Sequence, residues 1–294
     1  MSDLEKITPP EAVYRFNGED LELTEQRDYY VAMHNDVAQK QFFLEGKNAG
    51  KSLTANEEKM LAYILSKIKP EATELEPIEL DIMTFCQVCG ISNDSKSTSY
   101  NYFKSVVEKL AGRVLWMYDR DNGTETTVRY IDRVIMKRGS GKVIIKLDEL
   151  LCPYLINLAG NYFQFSIHNI IAMRSSYAIR LYKLLKSYYF RYYKIKFSLD
   201  TLKMYLDAGS YNKLSNFKAR VLEPALQEIN EYTDLKVSAE YEKTGKTVTH
   251  VIFTMQELQK PNNPGLLQEH WDRYQSVEAE IEKNKLPKAA PQKM

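Results

Sequence analysis

Apolar positions along this chain follow two rhythms, and the order in which the rhythms alternate occurs twice. Residues 28–44 (DYYVAMHNDVAQKQFFL) have helical periodicity and lead into a polar loop, EGKNAGKSLT. Thr54, with Glu57 three residues later, has the pattern of a capping box opening a helix over 55–68; Leu61, Ile64, Leu65 and Ile68 share one face and Pro70 closes it. After an acidic loop, PIEL is a short strand. Ile82, Phe85, Cys86 and Cys89, at i, i+3, i+4 and i+7, predict a compact helix stopped by Gly90. A second helix, roughly 94–111, carries Phe103, Val106, Val107 and Leu110 on its buried face. Three β-runs follow, RVLWMY, TTVRYIDRVIMK and KVIIKL, joined by turns containing Asn122-Gly123 and Gly139-Ser140-Gly141. Helix, strand, helix, tight turn, helix and β-hairpin make a winged helix-turn-helix.

The order then recurs. Residues 168–190 predict a long amphipathic helix, KIKFSL a strand and LDTLKMYLDA a short helix, with Gly209 at the turn. A second helix over 214–232 buries Phe217, Val221, Ala225 and Ile229, and LKVSAEYEKTGKTVTHVIFTM folds back as a hairpin around Thr244-Gly245. Residues match as well as order: Leu80-Asp81 precedes Gly90 as Leu199-Asp200 precedes Gly209, and YFKSVVE (102–108) lies against FKARVLE (217–223). An internal duplication predicts two similar domains. The fold class is α+β, two tandem winged-helix domains. The expected boundaries are an N-terminal arm (1–27), a first domain (28–158), a second domain (159–258), and a linker and tail (259–294).

Composition fits a soluble globular protein, 44% apolar and 27% charged. Nothing approaches a membrane span, and the acidic N-terminus lacks an apolar signal core. Three cysteines cannot all pair, which fits a reducing compartment; the expected location is the cytoplasm. The net charge of +1 conceals strong segregation. Residues 1–30 hold eight acidic and three basic side chains, and 71–81 hold five acidic and no basic ones. Residues 172–196 hold seven Lys/Arg and no Asp/Glu; 129–146 hold six basic and one acidic. Each basic run is a solvated face or an attraction for a polyanion.

A helix-turn-helix holds its second helix by one stripe and leaves the other free, and that free stripe fits the major groove while the hairpin touches flanking backbone. In the second unit Lys213, Asn216 and Arg220 lie at i, i+3 and i+7 opposite the buried stripe, with Ser215 beside them. Arg and Lys suit guanine edges or phosphate and Asn suits adenine. Lys218, nearer the stripe's edge, is expected at a phosphate, and Lys243 and Lys246 occupy the hairpin tip. The first unit offers Ser97, Asn101 and Lys104, with Arg120 at a hairpin tip, a less basic set expected to touch more backbone than bases. The implied partner is double-stranded DNA.

Other chemistry fits the residues less well. GKNAGKS has three residues between its glycines where a phosphate loop needs four, and it follows a helix rather than a strand. Cys86-x-x-Cys89 has no second pair at zinc-ligand spacing and lies on a core face, so buried thiols are expected and no metal. His270-Trp271-Asp272-Arg273-Tyr274 has no basic constellation around its tyrosine, and the four histidines stand singly, without the paired arrangement of a metal-dependent nickase. Tyr188, Tyr189, Phe190, Tyr192 and Tyr193 are either a stacking surface for single strands or the aromatic end of a core helix. No catalytic residue and no cofactor are expected.

The segments SIHNIIAMRSSYAIRLYKLLKSY, NFKARVLEPALQEIN and EYEKTGKTVTHVIFTM resemble the iteron-binding replication initiators of theta-replicating plasmids, over roughly residues 28–258. The resemblance implies two winged-helix domains and monomers that bind directly repeated origin sites. It further implies melting of adjacent AT-rich DNA, recruitment of the host initiator and replicative helicase, and autorepression as a homodimer at an operator. Relatives often carry an unbroken basic run after the recognition-helix Phe, where this chain has Ala219 between Lys218 and Arg220. The alternative is a dimeric transcriptional repressor without a replication role.

Overall fold

A computed structural model describes residues 30–34, 52–68, 72–89, 96–119, 123–137, 139–156, 162–189 and 191–258. The expected arm (1–27), the GKNAGK loop, Gly90, Arg120, Asn122, Phe190 and the tail (259–294) lie outside the described residues.

The first unit opens with α1 (Ala55–Leu65), and its predicted capping box is formed: Thr54 N–H donates to the Glu57 carboxylate at 2.7 Å, and Glu57 N–H donates to Thr54 Oγ1. β2 (Ile78–Asp81) leads into α2 (Ile82–Val88), and α3 (Lys96–Ala111) is the second helix of the motif. The Asp81 carboxylate caps α2, accepting from the Thr84 N–H at 2.8 Å. Phe85 meets Phe103 edge-on at 5.3 Å, locking α2 to α3.

The three expected β-runs form four strands: β3 (Val114–Asp119), β4 (Thr124–Arg129), β5 (Ile131–Met136) and β6 (Lys142–Leu147). TTVRYIDRVIMK is not one strand. It bends at Tyr130, and its halves join different sheets, β3-β4 and β2-β6-β5. The connection between β5 and β6 turns through Gly139 (φ 78°) and Gly141 (φ 70°), left-handed conformations that glycine adopts without strain.

Two helical expectations are corrected. Residues 30–34 within the 28–44 stretch are a strand, β1 (Tyr30–His34), paired antiparallel with β7 (Tyr162–Ser166). Val31 and Met33 are buried in alternation, and opposite them Phe163 and Phe165 are buried too, so a strand partner far along the chain overrides the local helical pattern. The expected single helix over 168–190 is two, α5 (Ile167–Ile171) and α6 (Ser176–Tyr189). The break is fixed from outside: the Glu228 carboxylate accepts from the N–H groups of Arg174 (2.9 Å) and Ser175 (3.0 Å). A short helix, α4 (Cys152–Leu155), precedes β7.

The second unit continues with β8 (Lys194–Ser198), α7 (Leu199–Leu206) and the recognition helix α8. That helix runs as an α-turn (Leu214–Phe217), a π-turn (Lys218–Leu222) and a longer α-helix (Glu223–Tyr232). β9 (Leu235–Thr244) and β10 (Thr247–Glu257) form the terminal hairpin. Its strand order, β8-β10-β9, matches β2-β6-β5 element for element, so β3-β4 is an insertion peculiar to the first unit. The caps match too: Ser198 Oγ accepts from the Thr201 N–H at 3.1 Å, as Asp81 does from Thr84. Asp81 therefore corresponds to Ser198 rather than to Asp200, and the turn after α7 is made by Asp207 (φ 53°), not Gly209.

The helix α6 packs against α1 on one side and against the second helix-turn-helix on the other. Arg180 donates to the carbonyls of Leu53 (3.0 Å) and Leu206 (3.1 Å), and Lys183 is paired with the buried Glu58. Lys186 is paired with Asp234 and Glu257. Burial alone would push its ammonium pKa down, but the two carboxylates outweigh this and raise it. Lys194 and Lys196 face Glu240 and Glu242 across the sheet. Five of the seven cations of the 172–196 run are thus engaged by carboxylates or carbonyls of the fold, which makes that run a structural seam.

Candidate nucleic-acid interface

The geometry of α8 follows from what holds its inner side. Phe217, Val221, Leu222, Ala225 and Ile229 are fully buried, the predicted stripe with Leu222 added. Two polar anchors set its direction. Glu228 caps the start of α6, and the Asn230 amide clamps β9, donating to the Val237 carbonyl at 2.9 Å and accepting the Val237 N–H at 2.6 Å. At the N-terminal end the Phe217 N–H donates to the Lys213 carbonyl, and the Lys203 ammonium lies 5.7 Å from the Phe217 ring centre.

With the inner side fixed, Lys213, Ser215, Asn216, Ala219, Arg220, Glu223 and Gln227 are exposed. Lys213, Asn216 and Arg220, expected on one free face, are all on the solvent side. Lys218 is half-buried, its ammonium drawn over the Tyr241 ring of β9. Lys243 and Lys246 are exposed at the hairpin tip, where Gly245 takes φ 63°.

In the first unit α3 is held by Phe103, Val106, Val107 and Leu110, all buried as predicted. Asn101 and Lys104 are exposed, and Lys104 pairs with Glu108 one turn on at 3.5 Å. Ser97 lies in the first turn of α3. Arg120, outside the described residues, falls in the connection between β3 and β4, the inserted hairpin. Strand order assigns the wing of this unit to β5-β6 instead, whose tip carries the exposed Lys137. Three β-runs place no wing at Lys137, and the Gly139-Ser140-Gly141 turn beside it is its one signal in the sequence.

Two members of the aromatic cluster, Tyr188 and Tyr189, are held in the fold. Tyr188 is buried edge-on against Phe197 at 5.7 Å, and the Tyr189 hydroxyl accepts the Glu257 N–H. Burial pushes the Cys86 thiol up to about 11 and the Cys89 thiol up to about 12, which leaves both protonated at neutral pH. Among the described residues no three His, Cys, Asp or Glu side chains cluster closely enough to hold a metal ion, and no helix is long and apolar enough to cross a membrane.

The family model of the initiator replication protein WH1 domain matches residues 36–186, and that of the initiator Rep protein WH2 domain matches residues 198–255. The chain belongs to the initiator Rep protein family. Its fold is that of the Pi initiator protein solved in complex with iteron DNA (TM-score 0.65, 19% identity, 80% of this chain and 99% of that one). Domains 2 and 3 of RctB are also similar (TM-score 0.50, 11% identity, 79% of this chain and 92% of that one). The two family models thus give this Rep protein two winged-helix domains, WH1 and WH2.

Proposed function

We propose that this Rep protein is a plasmid replication initiator that binds directly repeated origin sites, iterons, in double-stranded DNA. It promotes opening of the adjacent origin DNA, helps recruit the host initiator and replicative helicase, and represses its own gene as a homodimer. The observation that carries this reading is two helix-turn-helix units on one chain, each with a second helix anchored by an apolar stripe and exposing a polar one. The solved complex of the similarly folded Pi initiator with iteron DNA supports the same partner.

The division of labour follows from residue type. Asn216 and Arg220, with Lys213 and Ser215, present amide, guanidinium and hydroxyl groups to base edges in one major groove. Lys243 and Lys246 flank that groove at the backbone. Ser97, Asn101 and Lys104, with Lys137 at the wing tip, supply a second, less basic set that positions the first domain chiefly through phosphate and sugar. Two recognition helices on one chain cover successive major grooves, one turn of about 10–10.5 bp apart. Footprinting on a duplex carrying direct repeats tests this reading. Protection over about two turns per monomer is expected; protection of half a turn, or binding only to an inverted repeat, would favour a conventional repressor.

A further inference from the structure

The recognition helix of the second unit contains one residue more than its counterpart. In α3 the buried side chains are Phe103, Val106, Val107 and Leu110; in α8 they are Phe217, Val221, Leu222 and Ala225. The later members keep the same spacing, whereas the step from Phe to the first Val is one residue longer in α8. Matching Phe103 to Phe217 and Val106 to Val221 pairs Lys104 with Lys218 and Ser105 with Arg220. Ala219 is left over.

The surplus residue sits in the π-turn, where the Glu223 N–H reaches back five residues to the Lys218 carbonyl. Such single wide turns recur at functional sites. Pro224 follows, and it brings no N–H to the Arg220 carbonyl four residues before it and crowds that group with its ring. The wide turn carries the chain past Pro224 while Phe217 and Val221 both stay fully buried. On the outside, the turn changes which side chains face solvent. Lys218 swings to the sheet, its ammonium 3.4 Å from the Tyr241 ring centre, and Ala219 and Arg220 are exposed. The smallest side chain of the exposed face therefore lies beside the row formed by Asn216 and Arg220. A methyl group there suits one feature of the major groove, the C5-methyl of thymine.

We propose that Ala219 is a specificity-determining residue, set by the π-turn on the exposed face beside Asn216 and Arg220, where its methyl reads a thymine methyl. This rests on the iteron-binding reading above.

The test replaces each thymine of the direct repeat by deoxyuridine, which removes only the C5-methyl, and measures binding of the full chain. Wild type is expected to lose about fourfold at one thymine, the worth of a single buried methyl-sized group. Ala219→Gly should lose that sensitivity, binding thymine and deoxyuridine alike at the same position. Ala219→Leu, a change at an exposed helical site, should keep its urea midpoint and its affinity for scrambled duplex while losing specific affinity by about tenfold or more. Ala219→Gly that keeps full sensitivity at every thymine, or Ala219→Leu that binds the repeat like wild type, would overturn the proposal while leaving iteron binding intact. Failure of wild type to distinguish the repeat from scrambled duplex would overturn the iteron reading, and this one with it.

Discussion

The Lys218 ammonium lies 3.4 Å from the centre of the Tyr241 ring, so a cation of the recognition helix is spent on the wing sheet of its own domain. A cation–π contact of this kind is worth about 1 kcal/mol, more when desolvated. Lys218→Ala is therefore predicted to lower stability by about that amount and to leave the salt slope of DNA binding unchanged. Had Lys218 been a phosphate clamp, the slope would flatten by about 0.9. Binding titrations across a range of salt, paired with urea unfolding, separate the two.

Arg220 and Lys104 should behave oppositely. Arg220 is exposed on the face opposite the buried stripe of α8, and a bidentate contact to a base is worth about 1–3 kcal/mol of discrimination. Arg220→Ala is expected to lose specific binding by roughly ten- to a hundredfold and to keep non-specific binding. Lys104, paired with Glu108 on the exposed side of α3, is expected at backbone. Lys104→Ala should weaken binding to specific and scrambled duplexes together. Equal losses for Arg220→Ala on both duplexes would make Arg220 a phosphate contact instead.

Where the sequence pattern was read correctly, the deciding interactions were local. Thr54 and Glu57 cap α1 from three residues apart, Phe103 to Leu110 line one face of a single helix, and the glycines at 139, 141 and 245 make the turns their positive φ allows. The misread segments are those decided from a distance. Tyr30–His34 is a strand because Tyr162–Ser166 pairs with it, and the 168–190 helix breaks because Glu228, more than fifty residues on, caps its second half. The basic run over 172–196, open in sequence between a solvated face and an attraction for a polyanion, is neither for most of its cations, because its counter-charges, Glu58, Asp234, Glu240, Glu242 and Glu257, come from other elements. The π-turn did leave a trace: an apolar step of four from Phe217 to Val221 where the first unit has three, followed by Pro224.

The packing of α6 on α1 rests on a buried pair. Glu58 is 5% exposed and Lys183 12%, and they bind each other across α1 and α6. Removing one partner strands the other charge, so Lys183→Met should cost about 3 kcal/mol. Replacing both, with Glu58→Leu added to Lys183→Met, should recover most of that loss, because the desolvation penalty disappears along with the attraction. Urea unfolding of the two singles and the double completes the cycle. A double variant as unstable as the sum of the singles would mean that the two side chains act independently.

The neighbouring pair, Glu57 and Arg113, predicts a dependence on pH. Burial of the Glu57 carboxyl would raise its pKa. Hydrogen bonds from Arg113 (3.0 and 2.8 Å) and from Thr54 outweigh it, and the net shift is downward from the ordinary value of 4.5. A carboxyl with a lowered folded-state pKa stabilises the fold fully above its unfolded value. That contribution is lost as pH falls through the folded value, since the folded state must then accept a proton that it binds less readily than the unfolded chain. Hydrogen bonds to a charged group contribute about 1.5–3 kcal/mol, so Glu57→Gln should be less stable than wild type by about 2 kcal/mol at pH 7. The difference should hold down to about pH 5 and shrink steadily below about pH 4.5, where wild type loses the ionised form and the amide loses nothing. Urea midpoints of both proteins at a series of pH values measure it. A gap that stays constant from pH 7 to pH 3 would assign Glu57 a packing role in which its charge has no part.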